Sequence, residues 1–171
     1  VSTSSTLSTP STGRLLAAPE RGTDMDKLDE IFTKQSALND EIFAKQNIRD
    51  RQGRVLTMAA IAEELQRGEL GPNGLLNLWL RNYLTALKAE AAEMDEALLW
   101  KWWSKDRLDL QNIRVEIVDL MHFLTSLALV AGLTADDFHR LYVRKHDVNR
   151  QRQEQGYSRA TKDETDNKGV V

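Results

Sequence analysis

IRVEIVDLMHFL, residues 113–124, is the stretch on which the fold turns. Most of its residues are apolar, eight of twelve, yet Glu116 and Asp119 interrupt it three positions apart. On a helix that spacing places both carboxylates on one face. A helix apolar on nearly every side except an acidic stripe needs more cover than one small bundle supplies. The stretch therefore predicts an all-α protein that pairs with a second copy of itself as a homodimer.

Working outward, this helix should run over residues 110–131 and stop at Gly132. Residues 75–99 repeat Leu76, Leu80, Leu84 and Leu87 at helical spacing and carry a second acidic pair, Glu90 and Glu93 in EAAE. Residues 26–47 predict a third long helix, its apolar stripe broken by Gln35 and Asn39. Thr134 is the expected N-cap of a fourth, which carries Asp136 and Asp137 in its first turn and runs to about Gln155. Residues 58–67 suit a short helix, 49–57 a loop, and Gly71-Pro72-Asn73-Gly74 a break. Four main helices with short connections imply a four-helix-bundle-like core.

The chain has 171 residues, the size of one domain. Its 41% hydrophobic content supports a core, and a net charge of −3 argues against a nucleic-acid-binding surface. No apolar run approaches a membrane span. Cysteine is absent, which excludes disulfides, thiolate metal sites and cysteine nucleophiles. Residues 1–24 are rich in Ser and Thr and read as disordered, 25–157 as the folded domain, and 158–171 as a polar tail. The first segment lacks the pattern of a secretory signal; a transit peptide is the minor reading beside a start at Met25. The cytoplasm is the default compartment.

One Glu pair on a helix is usually a solvated face. Two pairs on successive helices, the second among apolar neighbours, are harder to dismiss. Ionised carboxylates are expensive to bury without a cation. Glu90, Glu93, Glu116 and Asp119 together suit a hard divalent ion, Mg2+ first, which commonly shares its charge with substrate phosphates. Glu96 is a possible fifth acid. WKWW at 100–103 is either a buried helix end or a lid over a base or phosphate, with Lys101 as a cation. Lys145, Asn149 and Arg152 fall on one helical face and could grip a polyphosphate. His122 reads as a hydrogen-bonded core residue, and His139 and His146 as exposed.

KQSALND at 34–40, EAAE with WKWW at 90–103, QNIRVEIVDLMHFL at 111–124, Lys145 with Asn149, Arg152 and Gly156-Tyr157, and ETDN at 164–167 occur together and in order. In these stretches the chain resembles the dimeric all-α dUTPases, within the MazG-like all-α NTP pyrophosphatase superfamily. The resemblance implies hydrolysis of dUTP to dUMP and pyrophosphate. It implies Mg2+, with Mn2+ a possible substitute, held by Glu90, Glu93, Glu116 and Asp119, one of which or a neighbour activates water. It puts Gln35 and Asn39 near the deoxynucleoside, with Asn39 reading the uracil edge. Trp100, Lys101 and Trp103 would close over the substrate, and Lys145, Asn149, Arg152 and Tyr157 would lie on its phosphate and sugar sides. Two departures stand out: the long helical insertion common in that family before the last helix is missing, and His146 follows Lys145 where Asn is common. Other readings are a MazG-like pyrophosphatase for another nucleotide such as dCTP, a di-iron bundle in which Asp119-x-x-His122 lacks its second half, and a catalytically silent helical protein.

Overall fold

The computed structural model describes residues 26–154, 156, 167, 169 and 170. Five helices follow in order: α1 (Lys27–Lys45), α2 (Met58–Gln66), α3 (Leu75–Ala97), α4 (Leu110–Val130) and α5 (Ala135–Glu154). The described residues form no strand beyond one isolated bridge, Arg49 to Val55, in the loop after α1. The expected all-α architecture holds, and the expected helices are all present within a residue or two at each end. Residues 1–24, Tyr157 and most of the tail from 158 lie outside the described residues.

Each helix start is fixed by a side chain that accepts an otherwise orphaned backbone N–H. Asp26 Oδ1 accepts from Leu28 N at 2.8 Å, Thr57 Oγ1 from Ala60 N at 3.1 Å, and Asp109 Oδ1 from Gln111 N and Asn112 N at 3.0 Å. Thr134 caps α5 as expected, accepting from Asp137 N at 3.1 Å while Asp137 Oδ2 accepts from Thr134 N at 3.3 Å. The start of α3 is different, because its N-cap Gly74 has no side chain. Glu64 reaches across from α2 instead, and its Oε2 accepts from Leu75 N at 2.6 Å and Leu76 N at 3.4 Å. A Cβ at Gly74 would lie 2.9 Å from the Glu69 carbonyl and 3.3 Å from that Glu64 oxygen, so only glycine fits beneath the cap. Gly132 ends α4 at φ +77°, where a Cβ would also strike Leu65 of α2 at 2.3 Å.

The main core forms where α1 to α4 converge on Phe43, Leu56, Ile61 and Val130, none more than 1% exposed. The α3–α4 pair is antiparallel, since Tyr83 meets Phe123 at one end and Glu90 meets Glu116 and Asp119 toward the other. A smaller cluster of Phe32, Ala128 and Ala135, with Phe138 at 5.8 Å from Phe32, ties the start of α5 to α1. The axis then turns by 103° between α4 and α5, so the bundle is a variant in which α5 swings away from α4. Among the described residues no single helix is long and apolar enough to cross a membrane. The apolar flanks of α4 are open: Val115, Ile117 and Val118 are 52%, 53% and 54% exposed.

Candidate active site

Antiparallel packing brings the two acidic pairs together across the α3–α4 seam. Glu90 from α3 and Glu116 and Asp119 from α4 each offer a carboxylate oxygen, and these oxygens lie within 4.8 Å of one another. All three residues are half-buried. Among the described residues none of them accepts a hydrogen bond or meets a cation. Burial, then the charges of Glu93, Asp119 and Glu116, hold the Glu90 carboxyl above the usual carboxylate range. Glu93 is exposed and stands outside the close group, though its charge still acts on Glu90. A set of hard oxygen donors at this spacing, with no protein donor to neutralise it, fits one divalent cation of the Mg2+ or Mn2+ type.

The carboxylates form one end of a cavity of about 500 Å³. Glu90 and Asp119 line it together with Gln35, Asn39, Trp79 and Tyr83. Four of the sequence-predicted residues thus share one cavity, and Glu116 adjoins them. Its aromatic wall is continuous: Phe43 to Trp79 at 4.5 Å, Trp79 to Tyr83 at 5.5 Å, Tyr83 to Phe123 at 6.5 Å. Burial, then the Asp40 charge, keeps the Tyr83 hydroxyl protonated far above its ordinary range.

The amides of α1 are held in a buried hydrogen-bond network. Gln35 Nε2 donates to Asn39 Oδ1 and to Ser126 Oγ, both at 3.0 Å. Asn39 Nδ2 donates to Ser126 Oγ at 3.2 Å and, more weakly, to Met58 Sδ at 3.7 Å. His122 Nδ1 pairs with Gln35 Oε1 at 2.6 Å, so with that oxygen facing it Nδ1 carries the hydrogen. His122 is hydrogen-bonded as expected, but its ring is exposed rather than part of the core, because it sits on the open flank of α4.

Of the remaining expected residues, Tyr157 lies outside the described residues and the others are not gathered at this cavity. Trp100, Lys101 and Trp103 lie in the segment between α3 and α4. Trp100 is 73% exposed and Trp103 60%. Trp100 and Trp103 pack edge to face at 5.9 Å, and Lys101 Nζ sits 5.3 Å from the Trp100 ring. On α5, Lys145 donates to Asn167 Oδ1, while Asn149 and Arg152 line a separate surface hollow beside His146. Sequence reasoning missed Ser126, Trp79 and Tyr83. The last two are four apart on α3 and share a face, but an apolar stripe gives the same signal for any core helix.

A family profile described as dUTPase matches residues 27–131. Two curated relatives are similar over part of their length, both dCTP pyrophosphatases. That of Enterobacteria phage T4 is 29% identical over 94 residues, covering 55% of this chain and 48% of the relative. That of Enterobacteria phage LZ5 is 26% identical over 104 residues, covering 46% of this chain and 60% of the relative. The chain therefore spans only about half to three-fifths of the length of these relatives. No solved structure matches significantly.

Proposed function

Because this chain belongs to the dUTPase family, we propose that it hydrolyses a pyrimidine deoxynucleoside triphosphate, dUTP first, to the monophosphate and pyrophosphate. The observation that carries the reading is the juxtaposition of Glu90, Glu116 and Asp119 with an aromatic and amide-lined cavity. In this reading those three carboxylates hold Mg2+ or Mn2+, with Glu93 joining when the ion is present. The ion supplies charge neutralisation for the triphosphate and polarises the reacting phosphorus. One of these four carboxylates, or a neighbouring one, accepts a proton from the attacking water. The water oxygen bonds to the α-phosphorus, the α–β phosphoanhydride bond breaks, and pyrophosphate leaves with the electron pair. Lys145, Asn149, Arg152 and Tyr157 serve the phosphate and sugar sides, and Trp100, Lys101 and Trp103 close over the substrate.

Asn39 reads the base by trading its weak bond to Met58 Sδ for one to uracil O4, with its carbonyl oxygen toward N3–H. A second reading, preference for dCTP, is favoured by the names of both relatives. Pyrophosphate release from a panel of NTPs and dNTPs with Mg2+ tests both. The expected result is turnover confined to deoxypyrimidine triphosphates and fastest with dUTP; release from none of them sinks the proposal. Asn39→Ala should lower kcat/KM about ten- to hundredfold for dUTP and much less for dCTP. Equal slowing would leave Asn39 a scaffold residue.

The open apolar flank of α4 borders a hollow of about 600 Å³ lined by Ile117, Val118, Leu120 and Leu124, which suits a second copy of the chain. Light scattering should give twice the 19.4 kDa chain mass at micromolar concentration, and a monomer there would defeat the dimer.

A further inference from the structure

Trp79 presents an unanswered polar group. Its indole Nε1 is buried, and among the described residues it has no hydrogen-bond partner. An indole N–H can only donate, and buried donors nearly always find an acceptor. Trp79 nevertheless lines the cavity that ends in Glu90 and Asp119. In the free protein the amide donors of that wall are engaged: both hydrogens of the Gln35 amide go to Asn39 and Ser126, and those of Asn39 to Ser126 and, only weakly, to Met58. The indole N–H is thus a nitrogen donor on this wall with no acceptor among the described residues, and it is buried where the Tyr83 hydroxyl, the wall's other donor without a protein partner, is not.

Its place along α3 says which part of a ligand it would meet. Trp79 lies eleven residues before Glu90, about 16 Å along the helix axis, and is farther from the carboxylates than Tyr83 is. A nucleotide whose phosphates face Glu90 and Asp119 directs its base toward Trp79. Phe43 and Tyr83, at 4.5 and 5.5 Å from the indole, surround that end with ring surface suited to a base.

We infer that Trp79 Nε1–H is a substrate-binding donor to the O2 carbonyl of the pyrimidine ring, and that it serves uracil and cytosine alike. O2 is the acceptor the two bases share, whereas at position 4 uracil accepts and cytosine donates. Trp79 therefore selects pyrimidine and leaves the choice between pyrimidines to other groups. Because Nε1 is shielded in the free protein, the wall gives slightly as the base enters. The inference rests on the nucleotide-hydrolase reading above.

The test removes the N–H while keeping the ring. Trp79→Phe and site-specific incorporation of 3-benzothienylalanine at position 79 are compared with wild type. Both should lower kcat/KM by about tenfold or more for dUTP and dCTP equally, mainly through KM. The benzothienyl protein, relieved of a buried unpaired donor, should keep or raise its Tm without nucleotide, which a purely structural role for the N–H would not couple to lost turnover. In 15N-labelled wild type, the indole N–H resonance missing from Trp79→Phe should move downfield on titration with dUMP and with dCMP. Unchanged kcat/KM in the benzothienyl protein, or a loss confined to dUTP, overturns the O2 assignment. If dUMP and dCMP shift other resonances but not the indole, only this inference falls. If wild type releases no pyrophosphate and neither nucleotide shifts any resonance, the nucleotide-hydrolase reading falls with it.

Discussion

Glu64 and Glu90 are glutamates serving opposite ends of one helix, and they live under opposite rules. Glu64 is only 2% exposed, yet its Oε2 receives two backbone N–H groups at the start of α3. There the helix dipole favours a negative charge. Asp50 is equally satisfied: burial alone would raise its pKa, but the Arg54 guanidinium and the backbone N–H groups of Arg54 and Gln52 hold it below the usual range. Glu90 lies toward the other end of α3, where Asp95 and Glu96 add further negative charge and no base stands in the last turn. It faces Glu116 and Asp119 and receives no donor. Acids that the fold needs are answered by the fold. Acids left facing one another mark a place where something outside the chain supplies the answer.

The largest effect that could break this contrast is on turnover. Glu116→Gln should lower kcat by ~10²–10³-fold or more while the helical circular dichroism stays unchanged. Near-normal hydrolysis by that variant at saturating Mg2+ would remove Glu116 from the chemistry and leave the acid group unexplained.

Glu64→Ala should do the reverse. It strands two backbone donors and should remove ~1–3 kcal/mol of stability in urea denaturation, with kcat/KM near the wild-type value. A stable Glu64→Ala protein would mean that Gly74 and its neighbours satisfy the helix start without the carboxylate.

The smallest effect concerns pH. The Glu90 carboxyl is held above its ordinary value of 4.5 in the folded protein. A raised acid stabilises the fold fully below its unfolded pKa, and that contribution is lost as pH rises through the folded pKa. Metal-free wild type should therefore lose stability over that rise. Glu90→Gln, which has no charge to acquire, should melt higher than wild type at neutral pH, and the gap should close below about pH 4. Added Mg2+ should reverse the order at neutral pH. Thermal melts in chelator and in Mg2+ decide it: no advantage for the variant in chelator would show that the carboxylates are already neutralised.

The two carboxylate groups were not equally legible in the sequence. Glu116 stood out because an acid inside IRVEIVDLMHFL breaks a strong pattern, and Glu90 because its spacing to Glu93 repeats the motif one helix earlier. Helix ends were legible too, since Thr134 and Gly132 act through local chemistry within a few residues. Glu64 gave no signal: its partners are 11 and 12 residues away and depend on how α2 sits against α3. The Gln35–Ser126 bond spans 91 residues, so the sequence could flag Gln35 only as a gap in an apolar stripe. The 103° turn into α5 is likewise an outcome of packing rather than of periodicity, whereas the open flank at Val115, Ile117 and Val118 was legible as a helix apolar on too many sides for one bundle. For the aromatic wall, Trp79 and Tyr83 looked like any other core positions until the cavity beside them was seen.

The amide network of α1 also acts as a key for alignment. Apolar side chains are poor judges of position, because a helix slipped by one turn still offers roughly matching hydrophobic volume. Slip α1 by four residues one way, and Asn39 would stand where Gln35 meets Ser126 while Phe43 took the place of Asn39. Slip it the other way, and Ile31 would face Ser126. Either misfit strands buried hydrogen-bonding groups at roughly 1–3 kcal/mol each. Gln35, Asn39 and Ser126 thus contribute less to how tightly the helices hold than to which of several near-equal seatings they accept.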